Sequence, residues 1–95
     1  MTRTEILNEL KKVISPYTTN KEQLANIDEQ TDLIKDLKIN SANLVDIIID
    51  AEAKYDIEID YDSADKMVNV GTCIDVISEK INQKAWQARV TTLYH

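Results

Sequence analysis

Residues 36–46 read DLKINSANLVD, and the helix that decides the fold begins inside this stretch. Asn40 and Ser41 are both residue types that cap helix N-termini, so we expect the helix to start at one of them. Beyond the cap, apolar residues recur at intervals of three and four, which places them on one inward-facing stripe. The members of this stripe are Leu44, Ile47, Ile48, Ala51 and Tyr55.

Towards the N-terminus the pattern predicts one more helix and a long connection. Thr2 and Glu5 have the spacing of a capping box, which starts a first helix that Pro16 stops. The polar connection that follows, residues 17–31, is too long for a tight turn and needs apolar residues to pin it. The residues expected in the core from this half are Ile6, Leu10, Val13, Ile14, Leu24, Ile27, Leu33, Ile34 and Leu37.

Towards the C-terminus the pattern predicts a loop and two more helices. Residues 56–60 alternate like a strand, but with no second strand in sight we expect an extended loop. A short third helix starts at Asp62, and Thr72 and Asp75 cap the last helix. The residues expected to be buried here are Ile59, Ala64, Met67, Ile74, Ile77 and Ile81. The predicted fold is an all-α four-helix bundle with a long first loop and a short third helix.

The composition agrees with one helical domain. The chain has 95 residues, 43% of them hydrophobic, with one glycine and one proline, which leaves room for one core and few tight turns. Neither a signal-peptide-like run nor a stretch of about 18 apolar residues is present in the sequence. Cys73 is the only cysteine, so an internal disulfide is excluded. We therefore expect a cytoplasmic protein without a membrane span.

Negative charge is concentrated in the middle of the chain. The net charge is −6, yet residues 41–65 alone hold eight acids and one base, a balance of −7. Such a block repels nucleic acid and anionic membranes, and it attracts basic protein surfaces. A solvated helix face that only aids solubility is the alternative interpretation.

The sequence lacks the groups that catalysis or a resident metal would need. His95 is the only histidine and stands at the end of the chain, so a histidine-assisted nucleophile is not expected. A single glycine excludes a phosphate-binding loop, and one cysteine with one histidine cannot hold zinc. The alternating acids from Asp56 are similar to a calcium loop, but Tyr61 and Met67 stand where that loop needs glycine and glutamate.

Ser41 is the remaining candidate for a functional residue, at the N-terminal tip of an exposed edge of the predicted helix. With about 100° of rotation per residue, Val45 and Ile49 lie within about 80° of Ser41 around the helix axis. Both lie off the inner stripe, where a purely structural helix would have polar residues. The acids around them are Asp46, Asp50 and Glu52. A small apolar patch ringed by acids is typical of a docking surface, whereas a plain helix cap is the alternative role for Ser41.

Residues 36–46 resemble the attachment motif of acyl carrier proteins, Asp-Leu-Gly-x-Asp-Ser-Leu-x-x-Val-Glu, whose serine bears 4′-phosphopantetheine. The resemblance extends over residues 6–81. Its downstream matches are Tyr55, Asp56, Glu58 and Ile59 in the loop after the family's second helix, and Ala64, Lys66, Met67, Val70, Ile74, Asp75 and Ile77 in its third and fourth helices.

The resemblance implies a carrier rather than an enzyme. Ser41 would hold phosphopantetheine, whose thiol carries acyl groups as thioesters for fatty-acid, polyketide or aryl-polyene type synthesis. The implied partners of this monomer are a phosphopantetheinyl transferase and the basic patches of ketosynthase, acyltransferase, ketoreductase and dehydratase type enzymes. The implied docking residues are Val45, Asp46, Ile49, Asp50, Glu52 and Asp56. The acyl-pocket candidates, for which plain core packing is the alternative, are Leu44, Ile48, Met67 and Ile77.

Three residues beside the serine depart from the motif: Lys38 replaces its glycine, Asn40 its aspartate and Ala42 its leucine. They favour a specialised carrier with its own transferase. The alternatives are a peptidyl or aminoacyl carrier, against which the acidic block argues, and an unmodified scaffold that docks through its acidic helix. We divide the chain into a carrier domain, residues 1–81, and an extension, residues 82–95, that lengthens the last helix or is partly disordered.

Overall fold

Five α-helices and one turn of 3-10 helix are the helical elements of the described part of the chain. The computed structural model describes the backbone of residues 1–93 and the side chains of residues 1–85. The helices are α1 (Arg3–Ile14), α2 (Lys21–Ala25), α3 (Ser41–Tyr55), α4 (Tyr61–Asp65) and α5 (Val70–Leu93), and the 3-10 turn spans Ser15–Tyr17. Over residues 1–93 there is no strand, only one isolated antiparallel bridge between Asp32 and Asn69. The predicted all-α fold is confirmed.

Side-chain caps set the starts of α1 and α3. The Thr2 hydroxyl accepts a hydrogen bond from the Glu5 N–H at 3.1 Å, and the Glu5 carboxylate accepts one from the Thr2 N–H at 3.2 Å. This reciprocal pair is the predicted capping box of α1. The Asn40 side chain accepts from the Asn43 N–H at 2.8 Å, so Asn40 caps α3 and Ser41 is its first residue.

The last helix, α5, begins three residues earlier than predicted. The Thr72 N–H donates to the Asn69 side chain at 2.8 Å, and the Asn69 N–H donates to the Thr72 hydroxyl at 3.2 Å. Asn69 is therefore the N-cap of α5, and Thr72 lies in the first turn, where its hydroxyl accepts the second hydrogen bond of this reciprocal pair. Asp75 has a different partner, because its carboxylate pairs with the Arg3 guanidinium at 2.7 Å.

A single core joins the helices to the loops between them. Its fully buried large side chains are Ile6, Leu10, Ile14, Leu33, Leu37, Ile39, Ile47, Met67, Ile74 and Ile77, with Val70 and Cys73. Four expectations about this core were wrong in detail. Val13 and Ile81 are half buried against the core and do not belong to its interior. Ile34 is 46% exposed, since Leu33 and Leu37 take the inward positions of that loop. Ala64 is only half buried because α4 is a short helix at the edge of the core.

The loop between α3 and α4 turns inward at a different residue than predicted. Ile57 is buried, whereas Ile59 is half buried. The reason is the end of α3: Asp56 adopts a left-handed backbone with φ 53°, and the Ile57 N–H donates back to the Glu52 carbonyl at 3.1 Å. This reversal brings Ile57 under the helix end two residues before the predicted position.

The connection between α1 and α3 is more ordered than the sequence indicates. It contains α2, whose five residues are capped by the Asn20 side chain, which accepts from the Gln23 N–H at 3.0 Å. Leu24 and Ile27 are buried as expected. Two backbone hydrogen bonds of 3.0 and 3.2 Å then join residues 31–33 to residues 68–70. The long loop is thereby tied to the start of α5.

The longest element is α5, with 24 residues. It runs from the core past Ile81 to Leu93, so its backbone enters the predicted extension. The extension's side chains from residue 86 onward, and residues 94–95 altogether, lie outside the described residues. Among the described helices, none combines the length and the apolar character needed to cross a membrane.

Candidate functional site

Ser41 lies at the exposed tip of α3, whose 15 residues follow it. The Asn40 side chain and carbonyl accept from the N–H groups of Asn43 and Leu44 at 2.8 and 2.9 Å. The N–H groups of Ser41 and Ala42, and the Ser41 hydroxyl, have no hydrogen-bond partner among the described residues. Free donors and the helix dipole make this tip favourable for a negative charge held on the Ser41 oxygen.

The chain that leads into Ser41 is pinned on both sides of Lys38. Leu37 and Ile39 are each 1% exposed. The Leu37 carbonyl accepts from the Thr18 hydroxyl at 2.9 Å, and the Ile39 N–H donates to the Leu33 carbonyl at 3.1 Å. These contacts fix the position of the serine relative to the core.

Lys38 itself adopts a left-handed backbone conformation, with φ 58°. Its side chain is exposed between the two buried neighbours. A residue with a Cβ atom is disfavoured there by roughly 1–2 kcal/mol relative to the right-handed region, whereas glycine is not. The glycine of the attachment motif therefore has a conformational reason at this position, and the lysine here adopts the same turn with strain.

The apolar pair on the outer edge of α3 is exposed. Val45 is 54% and Ile49 53% exposed, while Ile47 between them is buried. Asp46 and Asp50 are exposed on the same half of the helix. The helical spacing in the sequence located this patch correctly, and its role in docking stays a prediction.

The two acids beside this patch differ in their contacts. The Tyr17 hydroxyl donates to the Asp50 carboxylate at 2.5 Å, and this hydrogen bond raises the pKa of Tyr17 to about 12. Asp46 has no hydrogen-bond or ion-pair partner among the described residues. Both carboxylates are exposed, so they can reach a cation outside the chain.

The acids at the other end of α3 are engaged inside the molecule. The Glu52 carboxylate accepts from the Ile59 N–H at 2.8 Å, which ties the helix to the loop that follows. The Lys84 ammonium lies 2.7 Å from the Asp56 carboxylate, and this contact lowers the pKa of Asp56. Hence the predicted docking residues Glu52 and Asp56 are brought near the others along α3, but their carboxylates already have partners.

A second ion pair lies beside the first. The Lys80 ammonium is 3.0 Å from the Asp60 carboxylate. A hydrogen bond from Ser63, followed by the contact with Lys80, lowers the pKa of Asp60. Sequence reasoning missed both lysines as part of the site. Their spacing of four on α5, which places them on one helix face, is the signal that was available.

The acyl-pocket candidates belong to the core or pack against it. Met67 and Ile77 are buried in the core cluster, and Leu44 and Ile48 are half buried against that cluster. A groove of about 820 Å³ lies elsewhere, between residues 56–60 and α5, and none of the four candidates lines it. The pocket assignment stays a prediction.

The thiol of Cys73 is 1% exposed and contributes packing. Burial raises its pKa to about 12, so the thiol is neutral at ordinary pH and a poor nucleophile.

Proteins similar to this chain are found among curated sequences and solved structures. The chain is 30% identical over 79 residues to an acyl carrier protein of Thermotoga maritima, covering 83% of this chain and 95% of that protein. It is 34% identical over 76 residues to an acyl carrier protein of Desulforapulum autotrophicum, covering 75% and 91%. The structure of an acyl carrier protein from Enterococcus faecalis matches with a TM-score of 0.69 and 26% identity, over 84% of this chain and 99% of that one. No family model matches the chain.

Proposed function

The chain belongs to the acyl carrier protein family, and from that relationship we propose that Ser41 bears a 4′-phosphopantetheine arm on which acyl groups are carried as thioesters. The observation that carries the proposal is the position of Ser41. Its exposed hydroxyl has no partner among the described residues, and it begins a 15-residue helix inside the stretch that resembles the attachment motif.

The surroundings of Ser41 fit a phosphodiester at its oxygen. When bound, the arm supplies a terminal thiol that forms thioesters. The chain itself contributes the two free N–H groups of Ser41 and Ala42 and the positive end of the α3 dipole. A negative charge at such a helix start is stabilised by about 0.3–1 kcal/mol. The serine serves as an attachment point and requires no base from this chain.

The proposed partners approach along the outer edge of α3. Val45 and Ile49 offer a small apolar contact one and two turns from Ser41, and Asp46 and Asp50 attract basic side chains. A carrier must bind many enzymes briefly. Electrostatic attraction with little buried area supports fast, short-lived encounters of this kind. The partner classes are a phosphopantetheinyl transferase and acyl-processing enzymes with basic patches.

The departures from the motif favour a dedicated pathway of lipid, polyketide or aryl-polyene type. Asn40 keeps the helix cap that an aspartate would provide but removes its charge, and Ala42 removes an apolar contact from the same surface. Both lie where the transferase must approach Ser41. Loading by a general transferase and by one from the same source can be compared side by side, and equal efficiency would argue against a dedicated transferase.

Two other functions use the same fold. A peptidyl or aminoacyl carrier would share the serine, but the acidic block of residues 41–65 favours acyl cargo. An unmodified scaffold would dock through α3 without cargo, and only the altered residues around Ser41 support it. For acyl cargo, the half-buried Leu44 and Ile48 and the buried Met67 and Ile77 are the proposed lining of an acyl chain's route into the core. We place the protein in the cytoplasm.

Intact-mass measurement tests the proposed attachment. The purified protein is incubated with coenzyme A and a broad-specificity phosphopantetheinyl transferase. We expect one phosphopantetheine addition to wild type and none to Ser41→Ala, since the hydroxyl oxygen is the acceptor.

Ser15→Ala is the matched control, because the Ser15 hydroxyl only accepts a hydrogen bond from Lys21 at the surface. It should be loaded like wild type. If wild type takes no addition even with a transferase from its own source, the scaffold function replaces the carrier function. Addition to Ser41→Ala would place the arm on another residue.

A further inference from the structure

The positive charge of Lys38 has no partner within the described residues. Its side chain is exposed, and its ammonium takes part in none of the ion pairs of that part of the chain. The two acids of the same loop are bonded to backbone groups instead. The Asp36 carboxylate accepts from the Asp32 N–H at 2.8 Å, and the Asp32 carboxylate accepts from the N–H groups of residues 34 and 35 at 2.9 and 2.7 Å. The ammonium of Lys38 is therefore open to another anion.

The backbone of Lys38 indicates that this charge has a use. Its φ of 58° is disfavoured for a residue with a Cβ atom, and glycine would adopt the same turn without strain. No ion pair of the lysine side chain offsets the strain among the described residues. Strained positions of this kind are concentrated where proteins bind ligands or carry out chemistry. A contact of the ammonium with a group outside the folded domain is consistent with both observations.

Lys38 lies close enough to Ser41 to reach a group attached there. Leu37 and Ile39 are each 1% exposed, so the turn between them leaves the lysine side chain on the surface. Ser41 is exposed as well. Three residue steps separate the two positions, so their Cα atoms are at most about 11 Å apart. The flexible four-carbon stem of a lysine, together with a phosphate on the serine oxygen, can bridge this distance.

Asn40 changes the charge next to Ser41 in the same direction. Compared with the attachment motif, Lys38 adds one positive charge and Asn40 removes one negative charge, so the approach to Ser41 is more positive by two charges. Asn40 still caps α3, because its side chain accepts from the Asn43 N–H at 2.8 Å. Its amide, unlike a carboxylate, does not compete for the ammonium of Lys38. Both changes favour an anion on the serine oxygen.

We propose that Lys38 is a positioning residue whose ammonium pairs with the phosphate that joins the arm to Ser41. This role deepens the proposed function and rests on it, since the phosphate is that of the phosphopantetheine arm. The ammonium holds the phosphate beside the free N–H groups at the start of α3, so the first bonds of the arm lie against the turn at residue 38.

The strength of the contact follows from its exposure. Lys38 and Ser41 are both at the surface, so water screens the pair. Exposed ion pairs change an equilibrium by up to about fivefold. The contact should also be lost at high salt, because the Debye length falls to about 3 Å at 1 M.

A phosphate placed on Ser41 without any transferase tests this contact. Ser41→phosphoserine is introduced during synthesis of the full chain, and the loss of its last proton, near about pH 6, is followed by ³¹P NMR. A nearby ammonium favours the doubly charged phosphate. With Lys38 present, the phosphate should therefore hold this proton about two- to fivefold less tightly than with Lys38→Gln. Lys38→Arg should retain the effect, and about 1 M salt should remove it.

Lys35→Gln is the matched control. Lys35 is exposed in the same loop, its ammonium has no ion-pair partner among the described residues, and its replacement changes the net charge equally. This variant should titrate like the phosphoserine protein with both lysines. Glutamine at residue 38 keeps a Cβ atom, so the backbone strain stays the same. The proposed contact is ruled out if Lys38→Gln leaves the proton affinity unchanged, or if Lys35→Gln changes it as much.

The carrier function and the role of Lys38 can fail separately. If no transferase adds phosphopantetheine to Ser41, the carrier function is lost whatever the phosphoserine titration shows. If Lys38→Gln leaves the titration unchanged while wild type is still loaded, the carrier function remains and Lys38 has no part in holding the phosphate.

Discussion

Lys38 and its two neighbours show how single residues shape the proposed attachment site. The backbone of Lys38 is left-handed, with φ 58°, between the buried side chains of Leu37 and Ile39. The two buried residues anchor the chain, and the turn between them delivers Asn40 and Ser41 to the start of α3. The lysine occupies a position whose geometry suits glycine, so the strain there is local and separable from the rest of the site.

Lys38→Gly should therefore stabilise the protein. Relief of the left-handed conformation is worth roughly 1–2 kcal/mol, and the greater freedom of glycine in the unfolded chain offsets about half of it. We expect a net gain of up to about 1 kcal/mol in the free energy of unfolding, measured by urea denaturation. Lys35→Gly, at an exposed loop position without positive φ, should lose stability instead. A loss in Lys38→Gly equal to that of the control would contradict the strain argument.

The sequence predicted the exposed residues of the site better than the paired ones. The exposure of Val45 and Ile49 follows from the helical period alone, because exposure on a helix depends on local spacing. Ser41 follows from the helix start and from the motif that residues 36–46 resemble. The contacts of Asp56 and Asp60 do not follow from spacing, since their lysines come from a helix 20 to 28 residues later in the chain. Such pairs depend on how two elements pack.

The start of α5 depends on a close approach between elements. The Gly71 N–H donates to the Glu29 carbonyl at 2.7 Å, and a Cβ atom on Gly71 would lie 2.8 Å from that oxygen. Arg3 covers the same corner, with its guanidinium on both Glu29 and Asp75. The only glycine of the chain thus stands where the first loop meets the helix.

Gly71→Ala should destabilise the protein although alanine is the better helix former. The added methyl group meets a backbone oxygen, which cannot move without the loop that carries it. We expect a loss of about 1–3 kcal/mol in unfolding free energy, measured by urea denaturation. Ala53→Ser, which adds one atom at an exposed helix position, should stay within about 0.5 kcal/mol of wild type. If the stability of Gly71→Ala is unchanged, the loop that carries Glu29 can move to admit the methyl group, and the argument from close approach is wrong.

Elements with long apolar periodicity were predictable, and those without it were not. The buried stripes of α1 and α3 span three or four turns, so their patterns are unambiguous. In contrast, α2 has five residues and one buried side chain, Leu24, which is too little for a periodic signal. The inward turn at Ile57 depends on the left-handed backbone of Asp56 at the end of α3. An aspartate in the sequence does not by itself predict a left-handed conformation.

For the molecule as a whole, the balance of charges makes stability depend on pH. The pKa of Asp60 is lowered in the folded protein from 3.8, chiefly by Ser63 and Lys80. A carboxyl group with a lowered folded pKa contributes stability that is fully present above its unfolded pKa and is lost as the pH falls through the folded value. The contribution of Asp60 is therefore complete above about pH 4 and declines below it.

Thermal unfolding of wild type and Asp60→Asn across pH should reveal this contribution. We expect the wild-type advantage in Tm to be constant from about pH 5 to 7 and to shrink below about pH 4, as the wild-type carboxyl takes up a proton. Asp46→Asn, which removes an acid without a partner among the described residues, should not lower the Tm at neutral pH. An advantage that grows with acidity would contradict the assigned ion pair.

At this scale the family resemblance supplied what periodicity could not, namely the order and packing of four helices around one core. The course of α5 beyond Ile81 was left open by the sequence, since its later residues carry no clear apolar stripe.

The pinned approach to Ser41 gives any group attached there a fixed origin. With Leu37 and Ile39 buried and their backbone held by Thr18 and Leu33, the serine has little play relative to Val45 one turn away. With the proposed arm on Ser41, a partner that binds the outer edge of α3 would meet the base of the arm at a constant distance from its own contacts. The range over which a carried group moves would then depend on the length of the arm alone, because its point of attachment is fixed.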